Sequence, residues 1–176
     1  MPERMPNWTE KFGYGEFIHL EHRNCDACMM KGDKLFRVVE ENCFKEAIRR
    51  KDMEETDVDI QVLSTIPVLF NYWAKPADGL ETSRFFNDHI AETVAKEPNH
   101  FIGLGTVPLQ DIDLAIKEME RSWAQECRQA RAEDAQPSDS ERAEIVAMIN
   151  NPLSGGLGVV NGSAFDNWYN YGVLWT

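Results

Sequence analysis

Two histidines and two cysteines stand three residues apart near the start of the chain, as His19, His22, Cys25 and Cys28. Imidazole nitrogen and thiolate sulfur are preferred ligands of structural zinc, and four of them complete its tetrahedral shell. Structural zinc sites, however, usually separate two ligand pairs by roughly a dozen residues, so that a loop folds around the ion. Because all four residues crowd into one expected loop, the spacing favours separate roles. A small metal-binding protein that uses this loop remains one hypothesis.

Other reactive side chains lack a partner at a spacing that indicates catalysis. His89 falls within a predicted helix and His100 just before a predicted strand, and neither has a nucleophile at a recognisable spacing. We expect both to be structural. Ser64 and Thr65 end a predicted strand, where a complete barrel would place substrate contacts. A turn or a helix cap is the simpler role for them.

An aromatic cluster, formed by Phe70, Tyr72 and Trp73, follows the same predicted strand. In a barrel this loop would line the mouth of the active site, where the rings could stack on a conjugated substrate. Packing in a core or a subunit interface is an equal alternative.

Further along, the glycine-rich segment 155–158 does not complete the dinucleotide-binding fingerprint, because Asn161 stands where the third glycine should be.

Composition excludes several classes of partner. The 176 residues carry a net charge of −12 and a sequence pI of about 4.7, whereas proteins that bind nucleic acid usually present a basic stripe. No apolar run approaches the roughly 18 residues that span a bilayer, so we expect no membrane segment. The first residues lack the apolar core of a signal peptide, and 4 cysteines do not indicate a disulfide scaffold. We therefore expect a cytosolic protein.

The elements that would position these residues alternate between strand and helix. A β-branched, apolar run at 58–66 predicts a buried strand that ends before Pro67, and 101–107 predicts another that ends before Pro108. Helical spacing predicts helices over 42–55 and 80–96. Asp111 is a good N-cap for a further helix, whose apolar stripe comprises Ile112, Ile116, Met119, Trp123 and Cys127.

The two ends of the chain are less regular. Residues 1–34 combine Gly, Pro and polar residues without a clear period and predict a long loop. Residues 131–144 contain no apolar residue larger than Ala and predict an exposed loop or insertion. The segment 155–163 predicts a short strand, and the tail over 164–176 is aromatic without a period.

Alternating strands and helices imply a parallel sheet with right-handed crossovers, and hence an α/β fold. About three strands are visible in the pattern, whereas a closed (β/α)8 barrel needs eight strands and about 250 residues. The chain is therefore expected to form either a small open sheet or part of a barrel.

Several phrases, in order, resemble those of the 2-amino-3-carboxymuconate-6-semialdehyde decarboxylases, which belong to the amidohydrolase-like zinc (β/α)8 barrels. The matching phrases are FGYG (12–15), KLFRVV (34–39), STIPVLFNYWAKP (64–76), FIGLGTVPLQ (101–110) and KEMER (117–121). The resemblance implies that 1–121 is the N-terminal part of a decarboxylase barrel. It makes 122–154 an insertion or exposed loop, and 155–176 a weaker echo of a further strand with an aromatic tail.

What the resemblance implies is a cytosolic enzyme of tryptophan catabolism that acts on a small-molecule substrate and limits quinolinate formation. In that family zinc is held by a His-x-His pair together with a His and an Asp from later strands. None of these residues has a counterpart here, so no catalytic or metal residue is carried over, and we expect no zinc to bind this chain alone. The one functional residue that maps is Arg37, in the phrase FRVV, which resembles the arginine that holds a substrate carboxylate.

Two further hypotheses concern what the chain does as a whole. The leading one is a truncated decarboxylase that retains the substrate arginine and is inactive alone. The alternative is a non-catalytic interaction module that forms a homodimer or pairs with a full-length subunit, because an incomplete sheet exposes unpaired strand edges.

Overall fold

A computed structural model describes residues 1–23 and 26–130, with side chains as far as residue 122. The described part is α/β and contains two sheets. The elements in chain order are α1 (Trp8–Phe12), β1 (Ile18–His22), β2 (Asp26–Lys31), β3 (Lys34–Glu40), a 3₁₀ turn (Glu41–Cys43), α2 (Glu46–Glu55), β4 (Gln61–Ser64), a second 3₁₀ turn (Pro67–Leu69), α3 (Pro76–Lys96), β5 (Phe101–Leu104) and α4 (Ile112–Ala130).

The first three strands form an antiparallel meander, called the meander sheet below, in the order β1-β2-β3. Two residues join β2 to β3, and Gly32 takes the positive φ of +57° that such a hairpin turn requires. The predicted long loop over 1–34 is therefore wrong. The segment carries no strong local strand signal, because β2 reads Asp-Ala-Cys-Met-Met-Lys, and its extended conformation depends on pairing with both neighbours.

The strands β4 and β5 form a separate parallel pair, connected by α3. This confirms the predicted strand–helix–strand unit, but each strand is only 4 residues long. Neither strand is buried on both sides as the pattern predicted. One face packs against α3, where Ile90 lies over Gly103. The other face, called the bare face below, exposes Ile60, Val62, Ile102 and Leu104.

The predicted helices are confirmed with shifted ends. The helix α2 begins at Glu46, and α3 begins at Pro76, because proline is favoured in the first turn. Asp111 caps α4 as predicted, since its Oδ1 accepts a hydrogen bond from the Leu114 N–H at 3.0 Å. Within the described residues, 1–23 and 26–130, no helix is long and apolar enough to cross a membrane.

One apolar cluster joins the meander sheet to the second unit. Met29 and Val39 from the meander sheet pack in the same cluster as Leu69, from the turn after β4, and Phe86 of α3. The meander sheet therefore lies beside the segment that follows the carboxyl end of β4. The helix α4 enters the predicted 122–154 insertion, and the rest of that insertion, the predicted strand at 155–163 and the aromatic tail lie outside the described residues.

Candidate functional site at the carboxyl end of the parallel strands

The carboxyl ends of β4 and β5 lie at the same edge of the sheet, because the two strands are parallel and in register from Gln61–Phe101 to Ser64–Leu104. Ligands of α/β proteins bind at this edge, where the loops that follow the strands meet. Here the two loops run from Thr65 to the start of α3 and from Gly105 to the start of α4. The candidate site is built from these loops.

Tyr72 and Thr106 lie one on each of the two loops. Burial raises the pKa of Tyr72 to about 12, and the Thr106 side chain opposes this rise. Tyr72 is therefore protonated near neutral pH and is able to donate a hydrogen bond. Thr65 directly follows β4 and is buried, and its Oγ1 has no hydrogen-bond partner among the described residues. The two loops at this edge thus carry three hydroxyl-bearing side chains.

Asn87 of α3 holds the β5 loop in place. Its Nδ2 donates to the Thr106 carbonyl at 2.8 Å, and its Oδ1 accepts from the Thr106 N–H at 2.7 Å. The side-chain amide thus pairs with both backbone groups of one residue, as a neighbouring strand would. Asn87 Nδ2 also donates to Glu118 Oε1 at 2.8 Å, which ties α4 to the same loop.

Glu118 is a fully buried carboxylate at the centre of an ion-pair network. It accepts hydrogen bonds from Arg84 Nε at 3.1 Å and from Arg121 Nε at 2.8 Å. Hydrogen bonds to Glu118 raise the pKa of Arg121 above its ordinary value. Burial of the guanidinium opposes this rise, and the hydrogen bond to Asp88 adds to it. Such a network holds α3 and α4 together, because a buried charge without partners would be costly.

Sequence reasoning missed Asn87, Thr106 and Glu118. A signal for one of them was present, since Glu118 lies three residues after the buried Ala115, on the side of α4 that faces the core. A charged residue at a core position needs buried partners. The sequence did not indicate that those partners come from α3.

Arg37 lies on β3, at the margin of the apolar cluster that joins the two units. It pairs with Met29 across the meander sheet, and residues opposite each other share a face. Met29 in turn packs in one cluster with Leu69 of the loop after β4. Arg37 itself is exposed, and among the described residues no hydrogen bond or ion pair engages its guanidinium. Arg37 therefore lies on the same face of the meander sheet as Met29, which is the face that packs against the loop after β4.

The histidine–cysteine segment does not form a loop around a metal. His19 and His22 both lie on β1, three positions apart, so their side chains point to opposite faces. His22 forms a hydrogen bond with the Glu3 carbonyl and an edge contact with Phe44 at 5.1 Å. Cys28 is buried in β2, and Cys25 lies outside the described residues. Within the described ranges, no three His, Cys, Asp or Glu side chains come together as a metal site.

The two remaining histidines and the predicted aromatic cluster make contacts within the protein. Burial, followed by the charge of the N-terminus, lowers the pKa of His89 to about 4. His100 Nδ1 lies 3.1 Å from the Asp59 carbonyl, which supports a structural role. The aromatic cluster is split, because the Phe70 ring contacts Tyr72 at 5.3 Å whereas Trp73 packs against Phe17 at 4.5 Å.

Curated relatives confirm the resemblance that the sequence phrases predicted, although no family model matches the chain. The chain is 46% identical, over 122 residues, to a 2-amino-3-carboxymuconate-6-semialdehyde decarboxylase from Dictyostelium discoideum, which covers 69% of this chain and 34% of the relative. It is also 44% identical over 118 residues to the protein of the same name from Caenorhabditis elegans, a match that covers 66% of this chain and 29% of the relative. The chain thus spans about a third of the length of these relatives.

Solved structures show a weaker likeness. A 5-carboxyvanillate decarboxylase from Sphingomonas paucimobilis superposes with a TM-score of 0.42 at 33% identity, over 44% of this chain and 23% of that chain. A dihydroxybenzoic acid decarboxylase from Polaromonas was solved with bound manganese and the inhibitor 2-nitroresorcinol. It superposes with a TM-score of 0.47 at 23% identity, over 77% of this chain and 46% of that chain. Both TM-scores are too low to establish a shared fold.

Proposed function

We propose that this chain forms part of an enzyme that decarboxylates 2-amino-3-carboxymuconate 6-semialdehyde to 2-aminomuconate 6-semialdehyde. The observation that carries the proposal is the 46% and 44% identity to two curated proteins of that name. The enzyme would act in the cytosol, in tryptophan catabolism, and would limit the formation of quinolinate.

In this proposal the parallel pair belongs to a (β/α)8 barrel. The support is the β4-α3-β5-α4 order together with the bare face, whose apolar residues Val62 and Ile102 are about half exposed, at 48% and 49%. Parallel strands are normally covered on both faces. The missing cover is what further strands would supply by closing the sheet around this face.

Arg37 is proposed as the group that holds a substrate carboxylate. A guanidinium binds both carboxylate oxygens at once, and its planar geometry orients the substrate as well as attracting it. The support is its place beside Met29, which packs with the loop after β4. Its exposed side chain has no partner among the described residues and is therefore free to take an anionic ligand.

The metal of the family does not fit the residues described. The resemblance implies zinc, but residues 1–23 and 26–122 bring no three ligand side chains together. No metal-dependent step is therefore assigned to this chain, and we propose that it does not decarboxylate the substrate by itself.

A chimera tests this proposal. The aligned 122-residue segment of the Dictyostelium decarboxylase would be replaced by its counterpart from this chain, and decarboxylation would be followed by loss of the absorbance of the conjugated substrate. We expect an active chimera, and Arg37→Gln in it should raise KM by about tenfold or more, because a charged hydrogen-bonding partner is lost. The matched change Arg50→Gln, on α2, should leave KM unaltered. An inactive but folded chimera contradicts the proposed function, and an unchanged KM removes Arg37 from the site.

The bare face favours a second candidate, a non-catalytic module that pairs with a full-length decarboxylase subunit. Four exposed apolar side chains on one sheet face form a surface suited to another protein. A pull-down with the intact Caenorhabditis decarboxylase tests it, with Val62→Lys as the variant that should abolish capture. Absence of capture by the unaltered chain rejects this candidate.

A further inference from the structure

The segment FGYG (12–15), near the start of the chain, reaches the beginning of α3 through Tyr14. The Tyr14 hydroxyl accepts a hydrogen bond from the Lys75 N–H at 2.9 Å and donates one to Asp78 Oδ2 at 2.7 Å. The Lys75 ammonium group also lies over the Tyr14 ring, 4.5 Å from the ring centre. Such a contact between a cation and an aromatic ring is attractive. Tyr14 therefore makes three contacts with the residues that begin α3.

These contacts complete the N-terminal cap of the helix. Lys75 is the N-cap residue of α3, and its side chain makes no capping hydrogen bond. In a capping box, a glutamate three residues after the N-cap reaches back to the N-cap N–H. Asp78 stands at that position with a shorter side chain, and its carboxylate is linked to the Lys75 N–H through the Tyr14 hydroxyl. Tyr14 thus supplies part of the cap from a distant part of the chain.

The same FGYG segment also holds Trp73 in place. The Trp73 ring packs against Phe17, with the ring centres 4.5 Å apart. A Cβ at Gly15 would lie 2.5 Å from Trp73 Cζ3, so any larger residue at position 15 would displace the ring. The φ of Gly15 is +72°, which only glycine adopts readily. The FGYG segment therefore fixes both Trp73 and Lys75.

Tyr72, a residue of the candidate site, lies between these anchors and the loop after β5. The Ala74 N–H donates to the Asn71 carbonyl at 2.8 Å, which closes a β-turn with Tyr72 and Trp73 at its centre. On the side of the β5 loop, Gln110 Nε2 donates to the Ala74 carbonyl at 3.4 Å. A shift of either anchor would move the whole turn and, with it, the Tyr72 side chain.

We propose that Tyr14 is a positioning residue for the decarboxylation, because it holds the turn that carries Tyr72 in place at the carboxyl end of the parallel strands. This inference rests on the proposed function, in which the substrate meets Tyr72 at the candidate site. Tyr14 does not touch the substrate itself and acts through Lys75 and Trp73. Its hydroxyl is the essential group, since it joins the Lys75 N–H to the Asp78 carboxylate.

Hydrogen exchange of the full chain tests the contacts of Tyr14 without relying on activity. In Tyr14→Phe the Lys75 amide loses its acceptor, and we expect this amide to exchange about tenfold or more faster than in the unaltered chain. The amide of Ile90, in the middle of α3, should keep its exchange rate because the helix remains folded. Equal exchange of the Lys75 amide in both proteins overturns the proposal.

Kinetics of the chimera with the Dictyostelium decarboxylase test the effect on the reaction. Tyr14→Phe should raise KM by about fivefold or more and change kcat by less than about twofold, because a displaced turn weakens substrate binding. Asp78→Ala should raise KM as well. Asp78→Asn should keep KM near that of the unaltered chimera, since the carboxamide oxygen still accepts the Tyr14 hydroxyl. A purely structural role would lower thermal stability without this selective change in KM.

Glu81→Gln is the matched control for Tyr14→Phe. Glu81 forms an ion pair with Lys11, which also joins the N-terminal segment to α3 but does not involve the turn at 71–74. This change should leave both KM and kcat unaltered. An active chimera in which Tyr14→Phe leaves KM unchanged, or in which Glu81→Gln has an equal effect, overturns the role of Tyr14 alone. An inactive but folded unaltered chimera overturns the proposed function, and this inference with it.

Discussion

At the scale of single residues, the buried polar groups around β5 have the clearest structural roles. Asn87 pairs with both backbone groups of Thr106 and reaches Glu118, so one side chain connects α3, α4 and the loop after β5. Buried polar groups are stabilising only while each has its partner. The loop after β5 in the candidate site is therefore held by a buried side chain of α3.

Asn87→Ala should destabilise the protein by about 2–3 kcal/mol, because it removes the side-chain partner of both the Thr106 N–H and the Thr106 carbonyl, which are buried. The urea midpoint of unfolding measures the loss. Ser122→Ala is the matched control, since the Ser122 hydroxyl makes only long contacts of 3.3 Å with Asn87 and Glu118. It should change stability by less than about 0.5 kcal/mol. Equal effects of the two changes would contradict the role of Asn87.

His89 should make stability depend on pH. Burial and the nearby N-terminal charge lower its pKa in the folded state from 6.5 to about 4. Between these values the unfolded chain binds more protons than the folded chain, so stability should fall as the pH drops from about 6.5 to about 4. The urea midpoint, measured at pH 7 and pH 4.5, should shift less in His89→Gln. A shift of the same size in that variant would show that His89 does not titrate in this way.

At the scale of elements, α3 is the central helix of the described part. It packs on the parallel pair through Ile90, on the meander sheet through Phe86 and on α4 through Arg84. Its contact with β5 is close, because a Cβ at Gly103 would lie 2.8 Å from Ile90 Cγ2 and 3.3 Å from Val94 Cγ2. The glycine permits the helix to approach the strand.

Gly103→Ala should therefore destabilise the protein by about 1–3 kcal/mol through overpacking. Gly105→Ala is the matched control on the same segment, since its nearest neighbour would be Asn87 Oδ1 at 3.5 Å, an ordinary contact. Urea unfolding should show a small effect or a slight gain for Gly105→Ala. If Gly103→Ala leaves the free energy of unfolding unchanged, α3 shifts away from β5 without loss of stability, which contradicts the prediction.

At the scale of the whole molecule, two sheets share one apolar cluster, and each leaves an apolar surface uncovered. The bare face lies on the parallel pair, and the free edge of β3 lies on the meander sheet. The relatives are about three times as long as the part that matches. The two surfaces suit different partners, because a face is covered by packing whereas an edge is completed by hydrogen bonds.

Metal analysis of the purified chain provides a test at this scale. We expect well under one zinc per chain, because strand geometry directs His19 and His22 to opposite faces. Stoichiometric zinc that is lost in Cys25→Ser with Cys28→Ser would establish the metal-binding hypothesis instead. Cys43→Ser, a free cysteine outside this segment, is the control and should not alter the zinc content.

The amino-acid sequence by itself determined the three longer helices α2, α3 and α4, the Asp111 cap and the parallel pair, because periodicity, capping and β-branched runs act over a few neighbouring residues. Only the tertiary structure decided the meander sheet, since the strand β2 has little intrinsic preference and forms by pairing with β1 and β3. It also decided the Asn87–Thr106–Glu118 network, whose members lie up to 31 positions apart. Hydrogen bonds between such distant residues form when elements pack, and no local pattern encodes them.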